Sequence, residues 1–379
     1  MDSVGAGELP DASLYGDGGS DTLGHLADSV GLELPTLRSL GLGRVARIGG
    51  PEAGRPIGAF GRMAEASAGK DSVTGHWEMM GIVLERAFPT FPHGFSADVI
   101  RTFESRIGRR SLGNTVASGT AIIDALGPEH MRTGAPIVYT SADSVFQIAA
   151  HEAVVPLAEL YRMCEIAFEI VGRGMGVGRV IARPFVGEPG RFTRTANRRD
   201  YALDPSGPTL LDHLKAAGHD VVGIGKIEDL FAGRGLTRAV HTTSDSHGMD
   251  VLADEMSRTP RGLLAINLVD CDTLYGHRND ARGYAENLER FDERLAQVLT
   301  SLQPADLLIV TADHGNDPTT PSTDHSREYV PLLIAGAGVR AGVDLGVRQT
   351  FADLGQTLAA AFRVPALPHG TSFLADILS

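Results

Sequence analysis

Cysteine is almost absent from the chain. Only Cys164 and Cys271 occur in 379 residues, far apart and each inside an apolar segment. That excludes a disulfide framework and suits a reducing cytoplasm. Long apolar runs are missing too. No stretch approaches the 18 or so residues of a membrane span, and the N-terminus lacks the basic and apolar regions of a signal peptide. A soluble, cytoplasmic protein without membrane contacts is expected. Long runs of Lys or Arg are also lacking, and the formal net charge is -13. Most of such a surface repels nucleic acid and anionic membranes, so neither is an expected partner. An anionic ligand has to be met by local cations or by metals.

What the chain does contain is apolar residues, at 42% of the total, enough for a large core. At roughly 150 residues per domain the length suggests about two domains. Short β-branched runs recur at 137–139, 177–182, 221–224, 263–269, 307–311 and 331–334. They read as buried strands of a largely parallel sheet. Between them lie helical patterns, the clearest being Tyr284, Leu288, Phe291, Leu295, Val298 and Leu302, whose spacing makes one apolar stripe. Strand and helix alternate, which predicts an α/β fold with helices on both faces of the sheet. The glycines at 172, 174, 176 and 178 predict a flexible loop, and no internal repeat is present.

In α/β sheets, chemistry collects at the carboxyl ends of strands, where loops gather distant side chains into one crevice. The run 263–269 leads into Asp272 and His277, and the run 307–311 leads into Asp313, His314 and then His325. Asp2 adds a further carboxylate. Such a mixed set suits Mn²⁺ or Zn²⁺, and two ions about 4 Å apart can clamp both oxygens of a phosphoryl transfer. Singly, each residue is common as a helix cap or turn former. The adjacent Asp313-His314 pair at a strand end, with a third imidazole in the following loop, is harder to ascribe to folding alone.

The segment GKDSVTGHWE, 69–78, carries two hydroxyls and the only tryptophan. A hydroxyl becomes a useful nucleophile when a metal lowers its pKa, and Ser72 or Thr74 could serve. The same segment also reads as a capped helix start. In the middle of the chain, Ser141, Asp143, Arg179, Arg183, Arg191, Arg194 and Lys226 form a set of cations and small polar groups. Arginine suits bidentate phosphate recognition, and a carboxylate such as Asp143 suits sugar hydroxyls. Surface ion pairing is the alternative for any one of these arginines.

Taken in order, DSVGAGELPDA, GSDTLGHLA, GKDSVTGHWEMMG, YTSADSVFQIAAHE, VGRVIARPFVGEPGRFTRT, NLVDCDTLYGHR, TADHGNDP and DHSREYVPLL span the chain. Together they resemble the phosphopentomutase family of the alkaline phosphatase superfamily. TADHGND alone is shared with cofactor-independent phosphoglycerate mutases, whereas GKDxxTGHWE with YTSADS and RPFVGEPG is specific to the pentomutases.

The resemblance implies a metal-binding core at 1–84 and 200–379, with a substrate-binding α/β cap inserted at 85–199 that closes over the metals. It implies two Mn²⁺ per chain, other divalent ions being accepted. One ion falls to Asp2, Asp313, His314 and the nucleophile oxygen, the other to Asp272, His277 and His325. The catalytic nucleophile falls on Ser72, directly after the Lys-Asp pair. Ser141, Asp143, Arg179, Arg194 and Lys226 would hold the pentose phosphate. The implied reaction interconverts (deoxy)ribose 1-phosphate and 5-phosphate through a phosphoserine and a 1,5-bisphosphate, and whether a sugar bisphosphate activator primes it is left open.

Two departures matter. Family members carry threonine where Ser72 stands, so one methyl is lost and the hydroxyl kept. They also carry an apolar central strand before the Asp-Ser pair, which here directly follows Met1, so that strand is expected to be missing, with backbone ladder groups exposed. The alternatives to a mutase are a related metal-dependent phosphatase, a phosphoglycerate mutase, or an inactive N-terminally truncated product.

Overall fold

The computed structural model describes residues 1–50, 54–141 and 144–378. Among these, thirteen strands occur: β1 (Ala59–Met63), β2 (Leu112–Val116), β3 (Ile137–Thr140), β4 (Val145–His151), β5 (Arg179–Val186), β6 (Thr193–Arg194), β7 (Arg199–Ala202), β8 (Asp220–Gly225), β9 (Arg238–Val240), β10 (Gly262–Asn267), β11 (Leu308–Thr311), β12 (Val330–Ala335) and β13 (Val343–Arg348). The chain divides into two compact units, Met1–Ala87 with Pro205–Ser379, and Phe88–Asp204.

The first unit holds two sheets, ordered β11-β12-β1-β13 and β10-β8-β9. The second sheet is parallel throughout. The first is mixed, because β12 runs antiparallel to both β11 and β1. The expected largely parallel sheet is corrected to that extent. Between β11 and β12 the chain makes a return loop instead of a helical crossover, and a return loop reverses direction. β8 and β12 are buried almost throughout, as their continuous apolar sequences require, whereas β10 and β11 are only half-buried although equally apolar.

The helix Ala281–Ser301 follows the expected stripe, burying Tyr284, Leu288, Phe291, Leu295 and Val298. Asp280 caps it by accepting from the Gly283 N–H. Fully burying each such side chain stabilises the fold by roughly 1.5–3 kcal/mol.

The second unit is one six-stranded sheet, β2-β3-β4-β5-β6 with β7 also on β5. One face packs Phe95, Phe103, Phe146, Leu160 and Met163. The other packs Ile122, Ile123, Ile137, Tyr139 and Phe185 beneath the helix Gly119–Thr133. Only the second half of the glycine run, 176–178, lies outside regular structure as expected, and the first half is helical. Phe168–Arg173 is a π-helical turn continued through Gly174, and a side chain on Gly172 would meet the Phe168 ring at 2.5 Å. Close ring packing therefore accounts for that glycine.

Candidate metal centre

Strand ends in the first unit deliver the candidate ligands, as α/β geometry favours. β10 runs into a π-helical turn, Cys271–Tyr275, that carries Asp272, and then a short turn, Gly276–Arg278, that carries His277. β11 ends just before Asp313 and His314. The return loop brings back His325, fixed by the bridge between Gly315 and Ser326. At Ser3 the backbone is left-handed, with φ 69°, and its N–H donates to Asp313 Oδ1 at 3.1 Å. Asp2 is thereby turned into the same pocket. Tyr284 OH fixes this turn by donating to the Ser3 carbonyl at 2.7 Å.

Ser72 is the first residue of the helix Ser72–Met79. Asp71 caps that helix, accepting from the N–H groups of Val73 and Thr74 and from Thr74 Oγ1 at 2.6 Å. The Thr74 hydroxyl is therefore committed to the cap. Ser72 Oγ instead lies 3.2 Å from His314 Nε2. The helix sits so close to the β11 end that a Cβ on Gly75 would lie 2.2 Å from the Asp313 carbonyl oxygen.

Two clusters of ligand atoms converge, Asp2 with Asp313 and His314, and Asp272 with His314 and His325. His314 Nε2 is 3.4 Å from both Asp2 Oδ1 and Asp313 Oδ2, and His325 Nε2 is 3.2 Å from Asp272 Oδ1. His277 Nε2 is 3.4 Å from Asp272 Oδ2. The His314 and His325 rings stack with centroids 3.9 Å apart. His314 Nδ1 donates to the Gly315 carbonyl and His277 Nδ1 to the Thr323 carbonyl, which leaves each Nε2 lone pair facing the cluster. Such backbone anchoring is how metal-ligating imidazoles are oriented.

The charge balance fits a cation. Burial first, then the carboxylates of Asp313 and Asp272, push Asp2 up to about 7. Burial also acts on Asp313, but His314 and His76 override it and hold this carboxyl well below its usual range. Burial keeps His314 down at about 4, a neutral ligand at neutral pH. Asp2 Oδ1 and Asp313 Oδ2 are fully buried and accept no hydrogen bond among the described residues. Buried carboxylate oxygens without donors are costly unless a positive ion meets them. The donor set, three carboxylates and three imidazoles, suits divalent transition metals.

Several residues of the site escaped the sequence reading. His76, one helical turn beyond Ser72, donates from Nδ1 to the Ser72 carbonyl and sits 3.2 Å from Asp313 Oδ2. The spacing of four was the available signal. Asn267 donates to Asp2 Oδ2 and to His76 Nε2. Arg327, 3% exposed, donates to the carbonyls of Glu65, Ser67 and Gly69 and to the carboxylates of Glu65 and Asp11. It ties the segment preceding Ser72 to the loop that carries His325. No local pattern announces an arginine in that role.

The expected substrate residues are more dispersed. Lys226 belongs to the first unit, and its ammonium lowers the pKa of Asp2. Ser141, Arg179 and Arg194 belong to the second unit, and Asp143 lies outside the described residues. Ser141 follows β3, and Arg179 opens β5, where it approaches Asp200 at 3.8 Å. Arg194 is exposed on β6, paired with Phe185 near the far end of β5. Arg194 and Arg198 act together on Arg183, whose guanidinium burial depresses to about 10. These arginines make that part of the second unit locally cationic, and near them the Tyr139 hydroxyl is buried with no hydrogen-bond partner among the described residues.

The sequence profile of the Metalloenzyme superfamily matches residues 1–366, and the chain belongs to that superfamily of metal-dependent α/β enzymes. A phosphopentomutase of Caldanaerobacter subterraneus subsp. tengcongensis is 56% identical, covering 100% of this chain and 96% of its relative. One from Dictyoglomus thermophilum is 55% identical over 100% and 97%. Within the superfamily the chain belongs to the phosphopentomutase family, and it is an enzyme of the isomerase class, an intramolecular phosphotransferase. Among solved structures, the PH0037 protein from Pyrococcus horikoshii aligns with a TM-score of 0.49 at 16% identity, over 96% of this chain and 95% of that one. A Leishmania mexicana phosphoglycerate mutase aligns with a TM-score of 0.37 at 17% identity, over 46% and 39%. No helix among the described residues is long and apolar enough to cross a membrane.

Proposed function

We propose that this chain interconverts the 1- and 5-phosphates of ribose or deoxyribose in the cytoplasm, with Ser72 as the transient phosphoryl carrier. The observation that carries the reading is the Ser72 hydroxyl, 3.2 Å from His314 Nε2 where the buried carboxylates and imidazoles converge. The names of the full-length relatives support the substrate class.

Asp2, Asp313 and His314 would hold one divalent ion and Asp272, His277 and His325 a second, with Mn²⁺ the expected metal and other divalent ions accepted. When bound, such ions supply positive charge to the phosphoryl group and lower the pKa of the serine hydroxyl. The chain's own residues do the rest. Phosphorylated Ser72 gives its phosphoryl group to the free hydroxyl of the sugar monophosphate, which makes a 1,5-bisphosphate, and Ser72 Oγ then takes the other phosphate back. The positive end of the helix dipole at the start of Ser72–Met79 favours the negative charge of the phosphoserine. Ser141, Asp143, Arg179, Arg194 and Lys226 recognise the sugar phosphate, with arginine giving paired hydrogen bonds to phosphate oxygens. A sugar bisphosphate can prime the serine.

Phosphorus NMR on ribose 1-phosphate with Mn²⁺ tests the reading. Ribose 5-phosphate should accumulate with little inorganic phosphate. Phosphate release without a pentose 5-phosphate would instead assign a phosphatase.

A further inference from the structure

The helix Ser72–Met79 is buried along its whole length. In such a helix a polar side chain is costly unless its hydrogen bonds are met inside the protein. His76 is 7% exposed, and both of its ring nitrogens are engaged. Nδ1 donates to the Ser72 carbonyl at 2.8 Å, and Nε2 accepts from Asn267 Nδ2 at 3.2 Å. These partners fix the tautomer with the proton on Nδ1.

Each side of the ring leads to a carboxylate of one candidate metal site. Asn267 Nδ2 also donates to Asp2 Oδ2, at 3.1 Å, so one amide spans the imidazole and that carboxylate. On the other side Nδ1 lies 3.2 Å from Asp313 Oδ2, while its proton is directed at the Ser72 carbonyl. The positive edge of the ring therefore attracts Asp313 Oδ2 without occupying it. Asp313 Oδ1 is held separately by the Ser3 N–H. Each carboxylate thus has one oxygen fixed by a donor and one, Asp2 Oδ1 or Asp313 Oδ2, that accepts no hydrogen bond among the described residues. Both of these open oxygens lie 3.4 Å from His314 Nε2.

We propose that His76, acting with Asn267, is the positioning residue for the ion assigned to Asp2, Asp313 and His314. It aims one oxygen of each carboxylate at the ion and ties both to the first residue of the helix that carries the nucleophile. It supplies no ligand itself and acts through Asp2 and Asp313. Residues that orient metal ligands in this way tune affinity nearly as strongly as the ligands do. The ion assigned to Asp272, His277 and His325 is independent of it, so a change at His76 acts on one ion of the two. The proposal rests on the metal sites assigned above.

The test follows Mn²⁺ uptake by the metal-free full chain, read from the electron paramagnetic resonance signal of the unbound ion, in two backgrounds that each leave one site. Where Asp272→Asn disables the second site, adding His76→Phe should weaken binding of the remaining ion by about 10–100-fold. Where Asp2→Asn disables the first, adding His76→Phe should leave the remaining affinity unchanged. A merely structural histidine would not discriminate between the two. Should His76→Phe misfold, Asn267→Ala decides, because it keeps the ring and removes the amide that joins it to Asp2, and it should show the same selective loss. Equal weakening in both backgrounds, or weakening in neither, would overturn the proposal and leave the two sites standing. Failure of the unsubstituted chain to take up two Mn²⁺ would remove the sites themselves, and the proposal with them.

Discussion

Ser72 Oγ and His314 Nε2, 242 residues apart in sequence, lie 3.2 Å from each other, while the Thr74 hydroxyl two residues on is turned away into the Asp71 cap. The two hydroxyls of one segment therefore have separate roles. Ser72→Ala should abolish phosphoenzyme formation and isomerase activity without loss of stability. Thr74→Ala should leave activity measurable and lower stability by about 1 kcal/mol, the worth of one hydrogen bond. Activity assays beside denaturant unfolding separate the two, and full activity in Ser72→Ala would refute the assignment.

Glu328 gives a pH prediction for the metal-free protein. Burial pushes its carboxyl up to about 7 even though Ser326 and Thr22 donate to it. A carboxyl that binds its proton more tightly when folded stabilises fully below its unfolded pKa, and that contribution is lost as pH rises through 7. In Glu328→Gln the amide oxygen can still accept from Gly7 and Thr22 N–H, now taken by Oε2, and the hydroxyls of Thr22 and Ser326 can turn to accept from the new NH₂. The variant should therefore gain on the wild type between pH 5 and pH 8, by roughly 2–3 kcal/mol at the upper end. Parallel unfolding curves across that range would show the group to be ionised throughout.

Arg327 and Glu65, each 3% exposed at the side chain, form a buried pair at 2.8 Å. Removing the cation alone, as Arg327→Met, strands the carboxylate and should cost about 3–5 kcal/mol. Adding Glu65→Gln should recover part of that loss. Denaturant midpoints of the single and double variants check this, and additive losses would contradict the pairing.

Much of this arrangement was legible because the signals are local. The run 307–311 followed by Asp313-His314, and the apolar stripe from Tyr284 to Val298, each state an element and its orientation within a few residues. Cys164 and Cys271 are buried and unpaired, as their apolar contexts imply. Other features were hidden because they depend on contacts between distant segments. The antiparallel course of β12 follows from how the loop 312–329 returns, which has no fixed residue spacing. Arg327 looks like a surface cation until Asp11, Glu65 and Gly69 fold around it. The glycines near 174 suggested a loop, whereas Gly172 is small because Phe168 covers it. Residues 179 and 194 look close in sequence, but the course of β5 separates their backbones along the sheet.

Anomalous diffraction from an Mn²⁺-soaked crystal is the most direct measurement of the site. The arrangement predicts two manganese peaks, one bounded by Asp2, Asp313 and His314 and one by Asp272, His277 and His325, with Ser72 Oγ facing both. Peaks elsewhere, or none in a folded and saturated protein, would contradict it.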